Sequence, residues 1–250
     1  MKNVFKLGPD LGDAIAGLAV IRNLHGGVVR LFSTPGTKGW RPDMVAAILP
    51  LIRAQSYVES AEVFVEEEKL EFTRDFTGFR GSWDKGQNLI TKQAAHVGLD
   101  PNACDTSPWL QVPKGDNHRK IVLCATPRHN NPAMKWFDLW RHRHADCVYI
   151  GSREEHAQFL YNHSPYSPGM RQPTTIPFHD TRDLLEAGTF LSGARALFCN
   201  QTAVLWLALG LGFPKIYQET ATEDSTLGRP EVRHIRRQED NLSMQELRIL

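Results

Sequence analysis

Short apolar runs alternate with amphipathic stretches along the first half of the chain. Continuous or alternating apolar runs predict β-strands, and apolar residues spaced three and four apart predict helices. The predicted strands are Val4 to Leu7, Val28 to Phe32 and Tyr57 to Val65. The predicted helices are Ala14 to Leu24, Pro42 to Gln55 and Gly86 to Gly98. The stretch from Asp75 to Trp83 is aromatic and has no regular period.

The same alternation continues in the second half and ends in a polar region. Strands are predicted at Lys120 to Ala125, at Cys147 to Gly151, around Thr174 to Ile176, and in the runs that end at Cys199 and Glu219. Helices are predicted at Pro132 to Arg143, Arg153 to Tyr161, Asp180 to Gly193, and from Ala203 onward. Asp180 is the predicted cap of its helix. Beyond Glu219 no period indicates a contribution to a core.

Strands that alternate with helices predict parallel sheets, because a parallel pair needs a crossover that a helix usually provides. A chain of 250 residues can form two such units. We therefore expect an α/β protein with two Rossmann-like domains, residues 1–115 and residues 116–250, whose sheets face a cleft. Residues 106–115 contain two prolines and no clear period, which favours a linker there. Open α/β sheets bind ligands at the carboxyl ends of their strands, so catalysis is expected between the halves.

The strand–turn–helix–strand segment from Leu197 to Glu219 is the most informative motif of the chain. The first N–H groups of a helix have no partner within it, and the helix dipole favours negative charge there. The polar turn before the helix therefore predicts a phosphate site, with the Glu219 carboxylate near an attached sugar. The members of this site are Gln201, Thr202 and Ala203. The alternative is a plain strand–helix junction with Asn200 as the helix cap.

A Gly-rich turn, Gly8 to Asp13, separates the first predicted strand from the first predicted helix. It lacks the G-x-G-x-x-G spacing of dinucleotide-binding folds, so NAD and FAD are not expected. Asp13 faces the expected cleft, where a carboxylate can take a proton from an attacking hydroxyl. The alternative is that Asp13 or Asp10 only caps the helix.

A polar loop from Thr126 to Pro132 follows the first predicted strand of the second half. Arg128 can pair with a phosphate through two hydrogen bonds, and Asn130 and Asn131 add amide donors. The alternative is a polar loop whose asparagines cap the helix that begins at Pro132.

The spacing of histidines and aspartates does not favour a metal site. No H-x-x-x-H spacing occurs, and His142 and His144 are two residues apart, so they do not share a helix face. No Asp-x-Asp pair is present of the kind that holds a metal against a diphosphate. Phosphate chemistry is therefore expected to use basic side chains and helix ends, without a metal or another cofactor.

Charge and composition favour a soluble cytoplasmic protein. The 29 Lys and Arg residues nearly balance the 28 Asp and Glu residues, so no overall field attracts nucleic acid or an anionic membrane. Four cysteines without ligand-like spacing favour free thiols in a reducing compartment. No apolar run is long enough to span a bilayer, and no signal peptide is evident. The basic run from Arg229 to Arg237 favours a solvated face, the alternative being a contact for an anionic acceptor such as nucleic acid.

Taken together, these segments resemble the heptosyltransferase-like glycosyltransferases of family 9, which have the two-domain GT-B fold. LGPDLGDAIAGLAVIRNL, from residue 7, is similar to the family's strand, Gly-Asp turn and helix. This similarity implies a catalytic base at Asp13 and an acceptor side at Gly12 and Asp10. FCNQTAVLWLALGLGFPKIYQE, from residue 198, resembles the family's C-terminal block. Its last two residues, Gln218 and Glu219, are similar to the QE pair of small bacterial and phage members and imply nucleotide or sugar contacts.

Two further segments carry the same resemblance. ATPRHNNPAMKW, from residue 125, is similar to the family segment whose basic residue contacts the donor diphosphate. VYIGSREEH, from residue 148, resembles the strand and helix that line the nucleotide base, which implies that Gly151 and Ser152 contact the nucleotide.

The resemblance implies a metal-independent, inverting enzyme that moves a hexosyl or heptosyl group from a nucleotide-diphosphate sugar, such as a UDP-sugar, to an acceptor hydroxyl. The acceptor remains open between a surface saccharide and a hydroxymethylated base in phage DNA, and a phage-encoded enzyme would act in the host cytoplasm. Gln201 stands where the family has an acidic residue, and the family's histidine falls near Trp206. These departures leave a non-catalytic nucleotide-sugar-binding protein of the same fold as the alternative. The oligomeric state is not predicted.

Overall fold

The computed structural model describes residues 2–32, 39–64, 71–82, 88–129, 131, 133–143, 145–163, 176–220, 226 and 229–250. Within these ranges the chain forms two parallel β-sheets with helices packed against them. The predicted α/β class and the predicted parallel sheets are therefore confirmed. No helix in the described ranges is long and apolar enough to cross a membrane.

The first sheet comes from the N-terminal part of the chain. Its strands are β1 (Val4–Leu7), β2 (Gly27–Phe32), β3 (Val58–Phe64) and β4 (Arg74–Asp75), in the spatial order β3-β2-β1-β4. The helices of this part are α1 (Leu11–Asn23), α2 (Pro42–Arg53) and α3 (Leu89–His96), with a 3₁₀ helix at Phe79–Ser82. The strand β4 lies in the stretch without a period, because a strand of two residues is too short to show one. Helix α1 begins before the predicted Ala14, so Gly12 and Asp13 lie in its first turn.

The second sheet comes from the C-terminal part. Its strands are β5 (Ile121–Cys124), β6 (Cys147–Tyr149), β7 (Ala196–Cys199), β8 (Ile216–Glu219) and β9 (Val232–Ile235), in the order β6-β5-β7-β8-β9. Its helices are α4 (Trp136–Arg143), α5 (Arg153–His163), α6 (Leu184–Ser192), α7 (Ala203–Gly210) and α8 (Met244–Ile249), with 3₁₀ helices at Pro127–His129 and Gln238–Asp240. The predicted short strand around Thr174 lies mostly outside the described residues, and Phe178 instead forms a single parallel bridge with Tyr149.

The predicted cap of α6 was wrong. The cap is Asp183, whose side chain accepts a hydrogen bond from the Glu186 backbone N–H at 2.9 Å. Asp180 instead forms an ion pair with Arg153. Both aspartates precede the same apolar stretch, and the one directly before the first helical residue has the backbone position that capping needs.

The interpretation of the region after Glu219 as a tail without a core contribution was also wrong. The strand β9 pairs in parallel with β8, and its Val232 and Ile235 are buried. Helix α8 follows, with Leu247 and Leu250 buried in the core of the second sheet. Two buried positions on β9, and one on α8 followed by Leu250, are too few to produce a strong period, although they suffice to anchor this region.

A buried segment joins the two halves at Trp109. The Trp109 and Leu110 backbone N–H groups both donate to the Gly210 carbonyl oxygen at 2.8 Å. The Trp109 indole donates to the Ile15 carbonyl of α1 at 3.0 Å, and the Tyr57 hydroxyl donates to the Trp109 carbonyl at 3.0 Å. This segment, predicted as a linker, therefore packs between α1 and α7. The predicted domain boundary at residue 115 stays a prediction.

One apolar core extends through both halves. Helices α1 and α7 pack directly against each other, and buried residues of both belong to the same cluster. Ile15 and Leu18 of α1 lie in this cluster together with Leu205 and Trp206 of α7. The elements that carry the ends of the two sheets are thus held in a fixed relation by apolar packing.

Replacing Trp109 with Ala is expected to lower the free energy of unfolding by about 3–5 kcal/mol, because it removes a large buried side chain and its hydrogen bond to α1. Urea denaturation followed by circular dichroism measures this change. The control is Tyr161→Ala, since Tyr161 is 78% exposed and should change stability by less than about 0.5 kcal/mol. A loss below about 1 kcal/mol for Trp109→Ala would show that this residue does not hold the halves together.

Candidate functional site

A cleft of about 1120 Å³ lies between the carboxyl ends of the two sheets. One wall comes from the start of α1, from α2 and from the 3₁₀ helix at Phe79–Ser82. The other wall comes from the ends of β5, β7 and β8 and from the starts of α5, α6 and α7. The predicted site residues that line it are Asp10, Gly12, Asp13, Gly151, Ser152, Gln201, Thr202, Ala203 and Glu219.

Asp13 is held by an arginine on the wall of the first half. The Arg80 guanidinium donates to Asp13 Oδ2 from Nη2 at 2.5 Å and from Nε at 3.0 Å, and it also donates to Asp10 Oδ2 at 2.9 Å. The Asp13 side chain is 13% exposed, whereas that of Arg80 is 56% exposed. Burial opposes the charge of Arg80, but Asp13 and Asp10 outweigh it and raise the pKa of the guanidinium. The arrangement favours an ionised carboxylate at the edge of the cleft.

The side chain of Asp10 does not cap α1, contrary to the alternative interpretation. Asp10 occupies the N-cap position of α1, yet its side chain makes no capping hydrogen bond. Its carboxylate pairs with Arg80 instead. Sequence reasoning missed Arg80, which lies in the aromatic stretch without a period, so no local pattern pointed to it.

Gly12 brings Asp13 close to the start of α7. A Cβ atom on Gly12 would lie 3.0 Å from Cδ1 of Trp206, which is tighter than almost all real contacts. Glycine therefore lets the first turn of α1 approach Trp206, one turn into α7. Asp13, the next residue along the chain, lines the same cleft as the first residues of α7.

The start of α7 presents backbone N–H groups to the cleft. Thr202 is the N-cap, and its hydroxyl accepts a hydrogen bond from the Leu205 N–H at 3.3 Å. Helix geometry leaves the N–H groups of Ala203 and Val204 without a partner inside the helix. Both residues line the cleft. This is the arrangement that binds phosphate at helix N-termini.

Asn200 ties two strand ends together instead of capping α7. Its Oδ1 accepts from the Thr126 N–H at 2.9 Å, and its Nδ2 donates to the Thr126 carbonyl at 2.8 Å. The residue is fully buried. This two-point contact fixes the loop after β5 against the turn after β7, so the alternative with Asn200 as the cap is wrong.

Glu219 is a buried carboxylate at the end of β8. It is 1% exposed and lines the cleft, and its Oε1 accepts from the Trp136 indole N–H at 3.4 Å. Among the residues that the structure describes, its Oε2 has no hydrogen-bond partner. Burial raises the pKa of Glu219 to about 7, against smaller opposing effects of the Asn131 backbone and of the Trp136 and Asn200 side chains.

The end of β6 forms the far side of the cleft. Gly151 has φ 141°, a conformation that L side chains rarely adopt, so glycine is needed at this turn. The Ser152 N–H donates to Glu155 Oε2 at 3.0 Å, and the Glu155 N–H donates to the Ser152 hydroxyl at 3.0 Å. Glu155 was not singled out from the sequence, although it also lines the cleft.

The remaining predicted site residues are not placed in the cleft by the structure. Gln218 is fully buried, and its Oε1 accepts from the Thr226 hydroxyl at 2.7 Å. It faces away from the cleft because side chains alternate along β8 and Glu219 takes the other face. The backbone of Arg128 lies in the 3₁₀ helix at Pro127–His129, but its side chain lies outside the described part of the structure, as does all of Asn130.

The basic run near the C-terminus is engaged in structural contacts. Arg229, 9% exposed, pairs with Glu231 at 2.5 Å, and its guanidinium lies 5.7 Å from the Trp109 ring centroid. Arg233 pairs with Glu246 at 2.5 Å. Arg229 is thus not part of a solvated face as predicted. These pairings give no support to a nucleic-acid contact.

The cleft contains a thiol that is not activated. Cys124 lines the cleft, and burial raises its pKa to about 12, so it is neutral at pH 7 and unsuited to act as a nucleophile. Within the described ranges, no group of three His, Cys, Asp or Glu side chains could hold a metal ion. The absence of a metal requirement stays a prediction.

Comparison with solved structures identifies the fold. The heptosyltransferase WaaC of E. coli, solved with ADP-2-deoxy-2-fluoro heptose, aligns with a TM-score of 0.62 at 10% identity, over 99% of this chain and 97% of that chain. A glycosyl transferase of family 9 from Veillonella parvula DSM 2008 aligns with a TM-score of 0.58 at 11% identity, over 95% of this chain and 86% of that chain. No protein-family profile and no curated protein sequence matches the chain. At these identities the likeness establishes the fold, and the predicted GT-B-like architecture is confirmed.

Glu219→Gln is expected to remove a specific pH dependence of stability. The folded protein binds a proton at Glu219 more tightly than the unfolded chain, since its folded pKa is about 7 and its ordinary value is 4.5. This contribution is fully present below about pH 4.5 and is lost as the pH rises through 7. The difference amounts to about 3 kcal/mol at most. Relative to wild type, the variant should therefore gain up to that amount between pH 4.5 and pH 8, as measured by urea denaturation at both pH values.

The control for this experiment is Glu59→Gln, because Glu59 is half-exposed at the surface. This variant measures the effect of a Glu→Gln change at a residue outside the cleft lining. Equal pH dependence in wild type and Glu219→Gln would contradict the assignment of a raised pKa to this carboxyl.

Proposed function

We propose that this protein is a glycosyltransferase that uses a nucleotide-diphosphate sugar as donor and a hydroxyl as acceptor. The observation that carries the proposal is that Asp13 and the first residues of α7 line the same cleft. A base for the acceptor and an anion site for the leaving group are the two features that this transfer needs. The fold shared with two glycosyltransferase structures supports the same function.

The donor diphosphate is proposed to sit at the start of α7. The N–H groups of Ala203 and Val204 have no partner within the helix and can donate to an anion there, and the helix dipole adds favourable charge. Fixed N–H groups stabilise the charge that develops on a leaving diphosphate, because they need no reorganisation during the reaction. The proposal includes metal independence, since these groups supply the electrostatic stabilisation that a cation would otherwise give.

Asp13 is the proposed general base. The acceptor oxygen forms a bond to the anomeric carbon of the sugar while the bond from that carbon to the diphosphate oxygen breaks. The proton of the acceptor hydroxyl moves to the Asp13 carboxylate, and the electron pair of the broken bond stays on the diphosphate. A single displacement of this kind inverts the configuration at the anomeric carbon. Arg80 is a positioning residue, because it fixes the Asp13 carboxylate through two hydrogen bonds.

A saccharide is the preferred acceptor class. Binding of DNA depends mainly on cationic contacts to phosphates. The net charge is +1, and Arg229 and Arg233 are paired with glutamates. A hydroxymethylated DNA base remains the second acceptor class, and donor consumption that rises with added hydroxymethylated DNA at low salt would favour it.

The donor is identified by a thermal-shift screen with UDP-, GDP-, ADP-, dTDP- and CMP-sugars, each with and without EDTA. One nucleotide-diphosphate sugar at about 100 times its Kd should raise the Tm by about 5–10 °C, with no change on adding EDTA. CMP-sugars carry one phosphate and should shift the Tm less. A shift that EDTA abolishes would contradict metal independence, and no shift with any donor would contradict the proposed function.

The variant Ala203→Pro tests the α7 anion site in the same assay. Proline is tolerated at the first helical position, and the extended backbone of Thr202 (φ −124°, ψ 169°) is compatible with a following proline. The substitution removes one N–H group from the proposed diphosphate site. Donor affinity should fall about tenfold while the Tm of the free protein stays within a few degrees of wild type. Unchanged affinity would place the diphosphate elsewhere.

Asp13→Asn is expected to reduce transfer by about 10²–10⁴-fold, because the amide cannot accept the proton. The measurement is release of nucleoside diphosphate from the donor, with and without pooled saccharide acceptors, together with donor Kd by calorimetry. The Kd should stay within about threefold of wild type. The control is Asp116→Asn, an exposed aspartate outside the cleft, which should leave the rate unchanged.

Transfer that survives Asp13→Asn would show that another group is the base. A different result would be that the wild type binds a donor and releases no nucleoside diphosphate with every acceptor tried. That result would indicate a non-catalytic nucleotide-sugar-binding protein.

A further inference from the structure

A row of polar groups crosses the carboxyl end of the second sheet. Gly151 follows β6, Thr126 follows β5, the turn before α7 follows β7, and Glu219 ends β8. Adjacent strands lie about 4.8 Å apart, so the ends of β6 and β8 are separated by roughly 14 Å across the sheet. The turn that starts α7 lies between them, one strand away from Glu219.

This order places Glu219 on one particular side of the proposed diphosphate site. The sequence resemblance implies a nucleotide contact at Gly151, which lies on the β6 side of α7. A donor that continues in the same direction along the sheet edge passes its diphosphate over the start of α7 and brings its transferred sugar to the end of β8. Glu219 therefore lies where the sugar follows the diphosphate, and not where the ribose precedes it.

One oxygen of the Glu219 carboxylate lacks a hydrogen-bond donor among the described residues. The residue is 1% exposed, its Oε1 accepts from Trp136, and its Oε2 has no partner among the described residues. An unpartnered buried polar oxygen costs stability, so proteins usually satisfy such atoms. Because Glu219 lines the cleft, a bound molecule that reaches this oxygen can supply the missing donor.

The chemistry around Glu219 favours a hydroxyl as that donor. A carboxylate repels phosphate and accepts hydrogen bonds from O–H groups. The neighbouring Cys199 thiol is neutral, because burial raises its pKa well above the ordinary value. Sugar hydroxyls are the neutral O–H donors that a nucleotide-diphosphate sugar brings to this position.

We propose that Glu219 is the specificity-determining residue for the transferred sugar and that it accepts a hydrogen bond from one of the sugar's hydroxyl groups through Oε2. This inference rests on the proposed function, since it assumes a nucleotide-diphosphate sugar in the cleft. A site built to pair a hydroxyl discriminates strongly against an analogue without it, because the buried oxygen is then left unpaired. Glu219 thus determines which sugar is bound and has no effect on which nucleotide is bound.

The experiment compares binding of each nucleotide-diphosphate sugar with binding of its parent nucleoside diphosphate by calorimetry. The proteins are wild type, Glu219→Gln and the surface control Glu59→Gln. The variant Glu219→Gln should bind the sugar donor about tenfold or more weakly and the parent nucleoside diphosphate within about twofold of wild type. Glu59→Gln should bind both as wild type does. Thermal unfolding of each variant verifies that it is folded.

A second series identifies the hydroxyl. Donor analogues carry fluorine in place of one sugar hydroxyl at a time, because fluorine cannot donate a hydrogen bond. One analogue should bind wild type about tenfold more weakly than the parent donor does. The affinity of the same analogue should not fall further when Glu219 is replaced with Gln. Such non-additivity indicates a direct contact between Glu219 and the replaced hydroxyl.

The outcomes separate the two proposals. Equal loss of nucleoside diphosphate and sugar donor on Glu219→Gln, or unchanged binding of both, would overturn the sugar assignment and leave the proposed function intact. Failure of wild type to bind any nucleotide or nucleotide sugar would overturn the proposed function and this inference together.

Discussion

The packing of α1 against α7 determines the geometry of the cleft. Gly12 lies against Trp206, and Trp109 joins the same contact through its hydrogen bond to Ile15. The strands of each sheet point their carboxyl ends at the cleft, and this helix pair, together with α2 packed against α6, holds one sheet end relative to the other. Asp13 follows Gly12 along the chain, so this packing also positions Asp13 in the cleft that the start of α7 lines.

The site distributes charge in a consistent way. The first wall holds Asp10 and Asp13 around a single guanidinium, which donates hydrogen bonds to both carboxylates at the edge of the cleft. The second wall offers uncharged N–H groups at α7 and a carboxyl whose pKa is about 7 in the unliganded protein. Glu219 is buried, and its Oε2 has no partner among the residues that the structure describes, so its ionised form destabilises the fold above neutral pH. A ligand that donates a hydrogen bond to this oxygen would offset that cost.

Much of the fold could be predicted from the sequence, because long apolar strands and amphipathic helices give strong periods. The strand–turn–helix at Cys199 to Ala203 and the first turn of α1 were both located by their strand–polar–helix order. The strand β9 and helix α8 were missed, since their buried residues are few and separated by charge. A signal for α8 was nevertheless present. Ser243 and Glu246 have capping-box spacing, and their reciprocal hydrogen bonds begin that helix.

The contacts within the site could be predicted less well. Arg80 lies 67 residues from Asp13 along the chain, and no local pattern relates them. Asn200 was the helix cap in the alternative interpretation, a role that its residue type favours, but a tertiary contact with Thr126 uses both polar atoms of its side chain. Gln218 and Glu219 are adjacent, and only the strand register decides which of the two faces the cleft. Residue types show what a site can do, whereas the tertiary fold decides which of them meet.

The most direct test of this account is a crystal structure of the protein with a nucleotide-diphosphate sugar bound. The account predicts the diphosphate within hydrogen-bond distance of the Ala203 and Val204 N–H groups, with the anomeric carbon of the sugar facing Asp13. A donor bound with its diphosphate away from the start of α7, or with its sugar remote from Asp13, would contradict it.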